Sequence, residues 1–124
     1  LELLDLSANY KLGNNFVSIV SALPSLKYLK LADTGLTGQI QLHDIEAMEN
    51  LEELDLSDNN ITGFVNYNET MKLATRLTKL KLLDLSADYN LGNNFVSITK
   101  KYEDAHVFIR TIKMDAKIEA MKNL

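Results

Sequence analysis

At 124 residues, 46% hydrophobic and 24% charged, the chain suffices for one ordinary domain and is too apolar to be a disordered tail. A formal net charge of −4 argues against nucleic acid as a partner, apolar runs of only a few residues argue against a bilayer span, and the lack of cysteine excludes disulfides and thiolate metal sites. The charge is uneven: residues 1–75 carry 4 basic and 11 acidic side chains, whereas residues 76–124 carry 9 and 6. That polarity suits ordinary solvated surface, with end-to-end steering between copies as the sharper alternative.

The chain opens on LELLDLSAN, with Leu1, Leu4 and Leu6 spaced by three and then two and Asn9 three residues on. Neither a helical period nor strict alternation predicts that spacing over its whole length. A short strand followed by a sharp turn does. Phe16, Ile19, Val20 and Leu23 then fall on one predicted helical face, which Pro24 ends. In residues 26–36, LKYLKLADTGL, the leucine spacing returns at Leu26, Leu29, Leu31 and Leu36, with Thr34 in place of the Asn. Ile45, Met48 and Leu51 again have helical spacing, and Asp44 is positioned as its cap.

The clearest copy is residues 51–63, LEELDLSDNNITG. It predicts a strand from Glu53 to Ser57 that buries Leu54 and Leu56, then a turn at Asn59 closed by Gly63. A buried Asn accepts and donates at once, so its amide can bridge backbone groups that the bend leaves unpaired. The following return, ETMKLATRLTKL, places Met71, Leu73 or Ala74, and Leu77 at helical spacing. A fourth copy, LKLLDLSAD, carries Leu80, Leu83, Leu85 and Asp88. An ionised Asp88 can only accept, so this turn is expected to be the weakest of the set.

Two readings fit the end of the chain. Ala105, Phe108, Ile109, Ile112 and Ala116 have helical spacing, the favoured reading for part of residues 102–124, while Ile109, Ile112 and Met114 repeat the three-then-two pattern. Longer echoes are also present. Residues 1–19 and 80–98 agree at 16 of 19 positions, and IEAMENL at 45–51 returns as IEAMKNL at 118–124, which points to duplication of a longer block.

The first leucines of the four copies are separated by 25, 25 and 29 residues, near the period that stacks one strand-plus-return unit per turn. In this spacing the chain resembles a leucine-rich repeat protein. LTGQI at 36–40 and ITGFV at 61–65 are similar to the plant receptor-like subclass, although Gln41 and Asn66 stand where that pattern has Pro. The resemblance implies an α/β leucine-rich-repeat solenoid, a partial horseshoe with a short-stranded parallel sheet on its concave face and helical or irregular convex returns. Four repeats occupy 1–98, and 99–124 form a degenerate repeat or helical C-terminal segment of the same domain. A start at the first residue of a repeat suggests a fragment.

Function in such an architecture is expected on the concave face, where Asp5, Tyr28, Lys30, Asp33, Glu53, Asp55, Asp58 and Asp84 would form a net acidic ligand-binding row suited to a basic or polar peptide. The sequence therefore predicts a non-catalytic protein- or peptide-binding module, part of a receptor-like ectodomain, with no cofactor, no metal and no direct membrane contact. Its alternatives are a structural segment that stacks with other copies through uncapped ends, and a truncated piece without independent function. The two histidines, His43 and His106, have no nucleophile in a recognisable context. Paired carboxylates such as Asp55 and Asp58 are better explained by turns than by calcium. The resemblance and the sequons at Asn60 and Asn68 favour an extracellular or cell-surface setting, while the lack of cysteine leans toward a reducing one.

Overall fold

The computed structural model describes residues 1–65 and 78–91, together with the backbone of 108–110. The return at 69–77, the rest of the C-terminal segment and the sequon at Asn68 lie outside the described residues.

Each leucine-spaced stretch contributes a three-residue strand: β1 (Leu3–Asp5), β2 (Tyr28–Lys30), β4 (Glu53–Asp55) and β6 (Leu82–Asp84). A further strand, β7 (Phe108–Arg110), completes a five-stranded, all-parallel sheet in the order β1-β2-β4-β6-β7. The register is constant: Leu4 pairs with Leu29, Leu29 with Leu54, Leu54 with Leu83, and Leu83 with Ile109. Strands this short hold few ladder bonds, so register must come from the faces. A one-residue slip would carry Leu29, Leu54 and Leu83 out of the core and charged residues into it.

Leu26, Leu51 and Leu80 before the strands and Leu31, Leu56 and Leu85 after them are also buried. At roughly 1.5 to 3 kcal/mol each, these side chains are the main favourable term of the fold. On β1 the equivalent Leu4 and Leu6 are only partly buried, and Leu3 is 51% exposed. At the other edge, the strand at 108–110 replaces the helical reading for those residues. Its register sets Ile109 beside Leu83, so it follows neither proposed spacing of that segment.

The returns hold more strand than expected. β3 (Thr37–Gln41) and β5 (Asn60–Val65) form a second, two-stranded parallel sheet from the LTGQI and ITGFV stretches. Leu36, Ile40, Ile61 and Phe64 are buried beneath it. Register shifts between Gly38 and Gln39, leaving Thr62 as the extra residue of a bulge. Gly63 sits inside β5 and does not close the turn as expected.

Among the described residues the helices are short, α1 (Asn15–Val20) and α2 (Leu42–Glu46). In α1 the buried residues are Val17 and Val20, while Ile19, expected inside, is 62% exposed. The inward face is Phe16, Val17, Val20 and Leu23, a spacing of one, three and three. Ile45, Met48 and Leu51 are buried as their spacing predicts. Asp44, however, lies within α2 and makes no cap; its carboxylate meets His43 Nε2 at 3.3 Å.

The turns after the strands share one backbone device. Ala8, Asp33, Asp58 and Ala87 all adopt left-handed φ, between 55° and 68°. Asp tolerates that region better than Ala, so the first and fourth turns carry a strain that Asp spares the second and third. Gly35 adds a stricter requirement, since at φ +79° an added Cβ would run into the Tyr10 carbonyl.

Within these turns Asn59 is the best-connected side chain. Its Oδ1 accepts from Thr34 N (3.0 Å) and Leu36 N (3.1 Å), and its Nδ2 donates to Leu31 O (2.9 Å), Leu56 O (3.1 Å) and Ser57 O (3.1 Å). One amide thereby satisfies buried backbone groups of two successive strand-turn units, as the sequence predicts. Asp88, in register one strand on, accepts a single bond among the described residues, from Ile61 N at 3.1 Å, and its Oδ2 is buried without a partner. By this count the Asp88 turn is held less firmly than the Asn59 turn but ties with the second turn, where the Thr34 hydroxyl makes one bond, instead of being the weakest of the four as expected.

Candidate functional site

Alternation along each strand sends Leu4, Leu29, Leu54 and Leu83 inward and their neighbours outward. The constant register then lines the neighbours into rows. One row runs Leu3, Tyr28, Glu53, Leu82; the next runs Asp5, Lys30, Asp55, Asp84. Six of the eight residues expected to bind ligand, Asp5, Tyr28, Lys30, Glu53, Asp55 and Asp84, are therefore brought together on one face. Asp33 and Asp58 stand beyond the strand ends, at the left-handed turn positions, and are exposed. Arg110 is a position that sequence reasoning missed: the backbone of β7 places it in register with Asp84. Its signal was the Phe-Ile-Arg alternation, masked by the helical spacing around it.

Three of the aspartates have a second task. Asp5 Oδ1 accepts from Ser7 N (3.0 Å), Asp55 Oδ1 from Ser57 N (2.9 Å) and Asp84 Oδ1 from Ser86 N (2.9 Å). Asp55 also accepts from the Ser57 hydroxyl at 2.6 Å, and Ser57, expected on the outward face, is buried. Each Asp-Leu-Ser is thus an Asx turn that steers the chain into the left-handed residue that follows. The motif has a structural reason independent of any ligand. Hydrogen bonds from the Ser7 hydroxyl and amide, followed by the nearby Lys30, hold the Asp5 carboxyl below the usual range.

Asp55 and Asp84 are neighbours across β4 and β6, a like-charge pairing that costs stability in a sheet unless something compensates it. Lys30 offsets the Asp55 side of this arrangement, standing between Asp5 and Asp55 in register. An ion-pair column runs alongside the rows: Glu2 meets Lys27 at 3.3 Å and Glu52 meets Lys81 at 3.1 Å.

Two depressions of the described surface lie elsewhere. One of about 380 Å³ is lined by Ala8–Leu12, and another of about 210 Å³ by residues of α1 and β3 with Asp44. Neither includes a residue of the acidic row. Among the described residues no group of three His, Cys, Asp or Glu side chains is arranged to hold a metal ion, and no helix is long and apolar enough to cross a membrane.

Comparison with known proteins finds no family model that matches the chain and no curated protein similar to it. What the structure defines is an α/β protein with a parallel sheet of several strands, one face of which is acidic.

Proposed function

We propose that the chain is a leucine-rich repeat module, non-catalytic, that binds a basic or polar peptide segment on the outward face of its five-stranded sheet, as part of a receptor-like, extracellular ectodomain. The observation that carries this reading is the row Asp5, Lys30, Asp55, Asp84 with Tyr28 and Glu53 beside it, set side by side by register alone. Flat rows of carboxylates select charge, and Tyr28 supplies contact area at little entropic cost. Asp55 and Asp84, adjacent in register, concentrate the negative charge to which a cationic side chain would be drawn.

Because Asp55 and Asp84 also hold turns, charge reversal would damage the fold along with the face. Asn keeps the accepting oxygen and removes the charge. Selection of a random peptide library on the wild-type protein and on a Glu53→Gln, Asp55→Asn, Asp84→Asn variant separates the two roles. Lys- or Arg-rich peptides that bind the first and lose the second support the site. No enrichment, or peptides indifferent to the substitutions, sinks it.

The exposed Leu3 and half-buried Leu4 of β1, with the half-buried Leu6 just after it, favour a second reading, association through that edge. Sedimentation of the 124-residue chain tests it, a monomer at high concentration counting against it.

A further inference from the structure

The position that Asn59 occupies recurs in every turn that follows a leucine-spaced strand. In three of the four, the side chain there donates to the carbonyl three residues earlier. Asn9 Nδ2 donates to Leu6 O at 2.7 Å, Thr34 Oγ1 to Leu31 O at 2.8 Å and Asn59 Nδ2 to Leu56 O at 3.1 Å. Asp88 holds the fourth position and is wholly buried. A carboxylate has no hydrogen to give.

The register identifies three carbonyls with a second lone pair to offer: Leu56 O accepts from Asn59 Nδ2, Leu85 O from Asp88 N and Ser86 O from Asp58 N. Leu31 is succeeded by Leu56, Leu56 by Leu85 and Ser57 by Ser86, so the oxygens of Leu56, Leu85 and Ser86 correspond to the three acceptors of Asn59. Asp88 Oδ1 reproduces one of the two bonds that Asn59 Oδ1 accepts, taking the Ile61 amide where Asn59 takes that of Leu36. Oδ2, at the donating half, has no partner.

We propose that Asp88 is a proton-operated latch: as the neutral acid its Oδ2 hydroxyl fills the donor role of the Asn59 amide, and as the carboxylate it leaves the turn after β6 holding a buried, unpaired charge. The surroundings favour the neutral form. Burial is the largest effect, and the carboxylates of Asp58, Asp84 and Asp55 add to it against the single Ile61 amide, pushing the Asp88 carboxyl up to about 7. Those groups come from β4 and its turn, β5 and β6; β7 brings Arg110 into register with Asp84.

The duplication points the same way. Residues 80–98 differ from 1–19 at only three positions, and all three face the preceding segment: Lys81 meets Glu52, Asn90 donates to Asn60, and Asp88 accepts from Ile61. Asp88 stands where the first block has Asn9. The block therefore folds with an amide at this position, and a carboxyl there is a difference of titration rather than of shape.

For a group whose folded-state value is raised, the folded state binds the extra proton. Stability from the latch is full below the unfolded value near 4 and is lost as pH rises toward about 7. The slope is at most tenfold in the folding equilibrium constant per pH unit.

The test compares wild type, Asp88→Asn and Asp88→Ala in urea unfolding from pH 5 to pH 8. The wild-type folding constant, divided by that of Asp88→Asn, is expected to fall about a hundredfold across that range, the two histidines cancelling in the ratio. Asp88→Asn should be more stable than Asp88→Ala at every pH. A ratio that stays constant, or Asp88→Asn no better than Asp88→Ala, overturns the latch. A carboxyl-carbon NMR titration of the wild-type protein tests it independently of any variant: a midpoint for Asp88 above pH 6 supports the proposal and one below pH 5 refutes it.

Discussion

The turns after β4 and β6 follow the same path over the same leucine core, yet among the described residues Asn59 ties five backbone groups together and Asp88 ties one. Both side chains have the same size and shape. What separates them is a pair of amide hydrogens, and the consequence is that one turn is satisfied at any pH while the other depends on a proton. Apolar burial supplies most of the favourable energy in both places. It cannot supply hydrogen-bond partners, so the single polar side chain beneath each bend decides how firmly successive strand-turn units are joined.

The largest effect is expected from removing the better-connected side. Asn59→Ala leaves the buried amides of Thr34 and Leu36 without an acceptor, and should cost about 3 to 5 kcal/mol in urea unfolding. Asn59→Asp makes the two turns alike: its loss should be larger at pH 8 than at pH 5, and a pH-independent loss would break the comparison. Leu83→Ala, in the core beneath the weaker turn, should cost about 2 to 5 kcal/mol by cavity formation, equally at both pH values. A smaller gain is expected at Ala87, whose left-handed φ of 60° suits Asn better; Ala87→Asn should stabilise the protein by roughly 1 kcal/mol. Least of all, Asp55→Asn with Asp84→Asn should move stability by under about 0.5 kcal/mol, since the turn-holding oxygens remain and a like-charge contact is relieved. If that pair instead proves strongly destabilising, the carboxylates act in the fold through more than their Oδ1 atoms.

Much of the sheet was legible beforehand. Leu29, Leu54 and Leu83 could be assigned to its inner face, and Lys30, Asp55 and Asp84 to its outer one, because a side-chain period of two fixes the faces once a strand is recognised. The Asn59 bridge could be foreseen as well, since an amide is one of few side chains able to serve donors and acceptors together. Other features were hidden. Thr37–Gln41 and Asn60–Val65 read as sequence markers, yet they pair with each other across 23 residues, an arrangement that neither stretch shows alone. Ile19 was placed inward on helical spacing, but α1 is a short helix whose orientation is set by Val17 and Val20 against the core. In the candidate site, the residue types pointed to a charged face while the turn-holding work of Asp5, Asp55 and Asp84 emerged only from their distances to Ser7, Ser57 and Ser86.

By itself, then, the sequence determined which side chains are buried along each strand and where the chain must bend, because both follow from local periodicity and from the chemistry of single residues. Only the tertiary structure decided that Arg110 stands in register with Asp84, that β3 finds β5, and that Asp88 lies fully buried near Asp55, Asp58 and Asp84. Those outcomes depend on register between strands 23 to 29 residues apart, and register is fixed by the packing of all the leucines at once rather than by any one stretch.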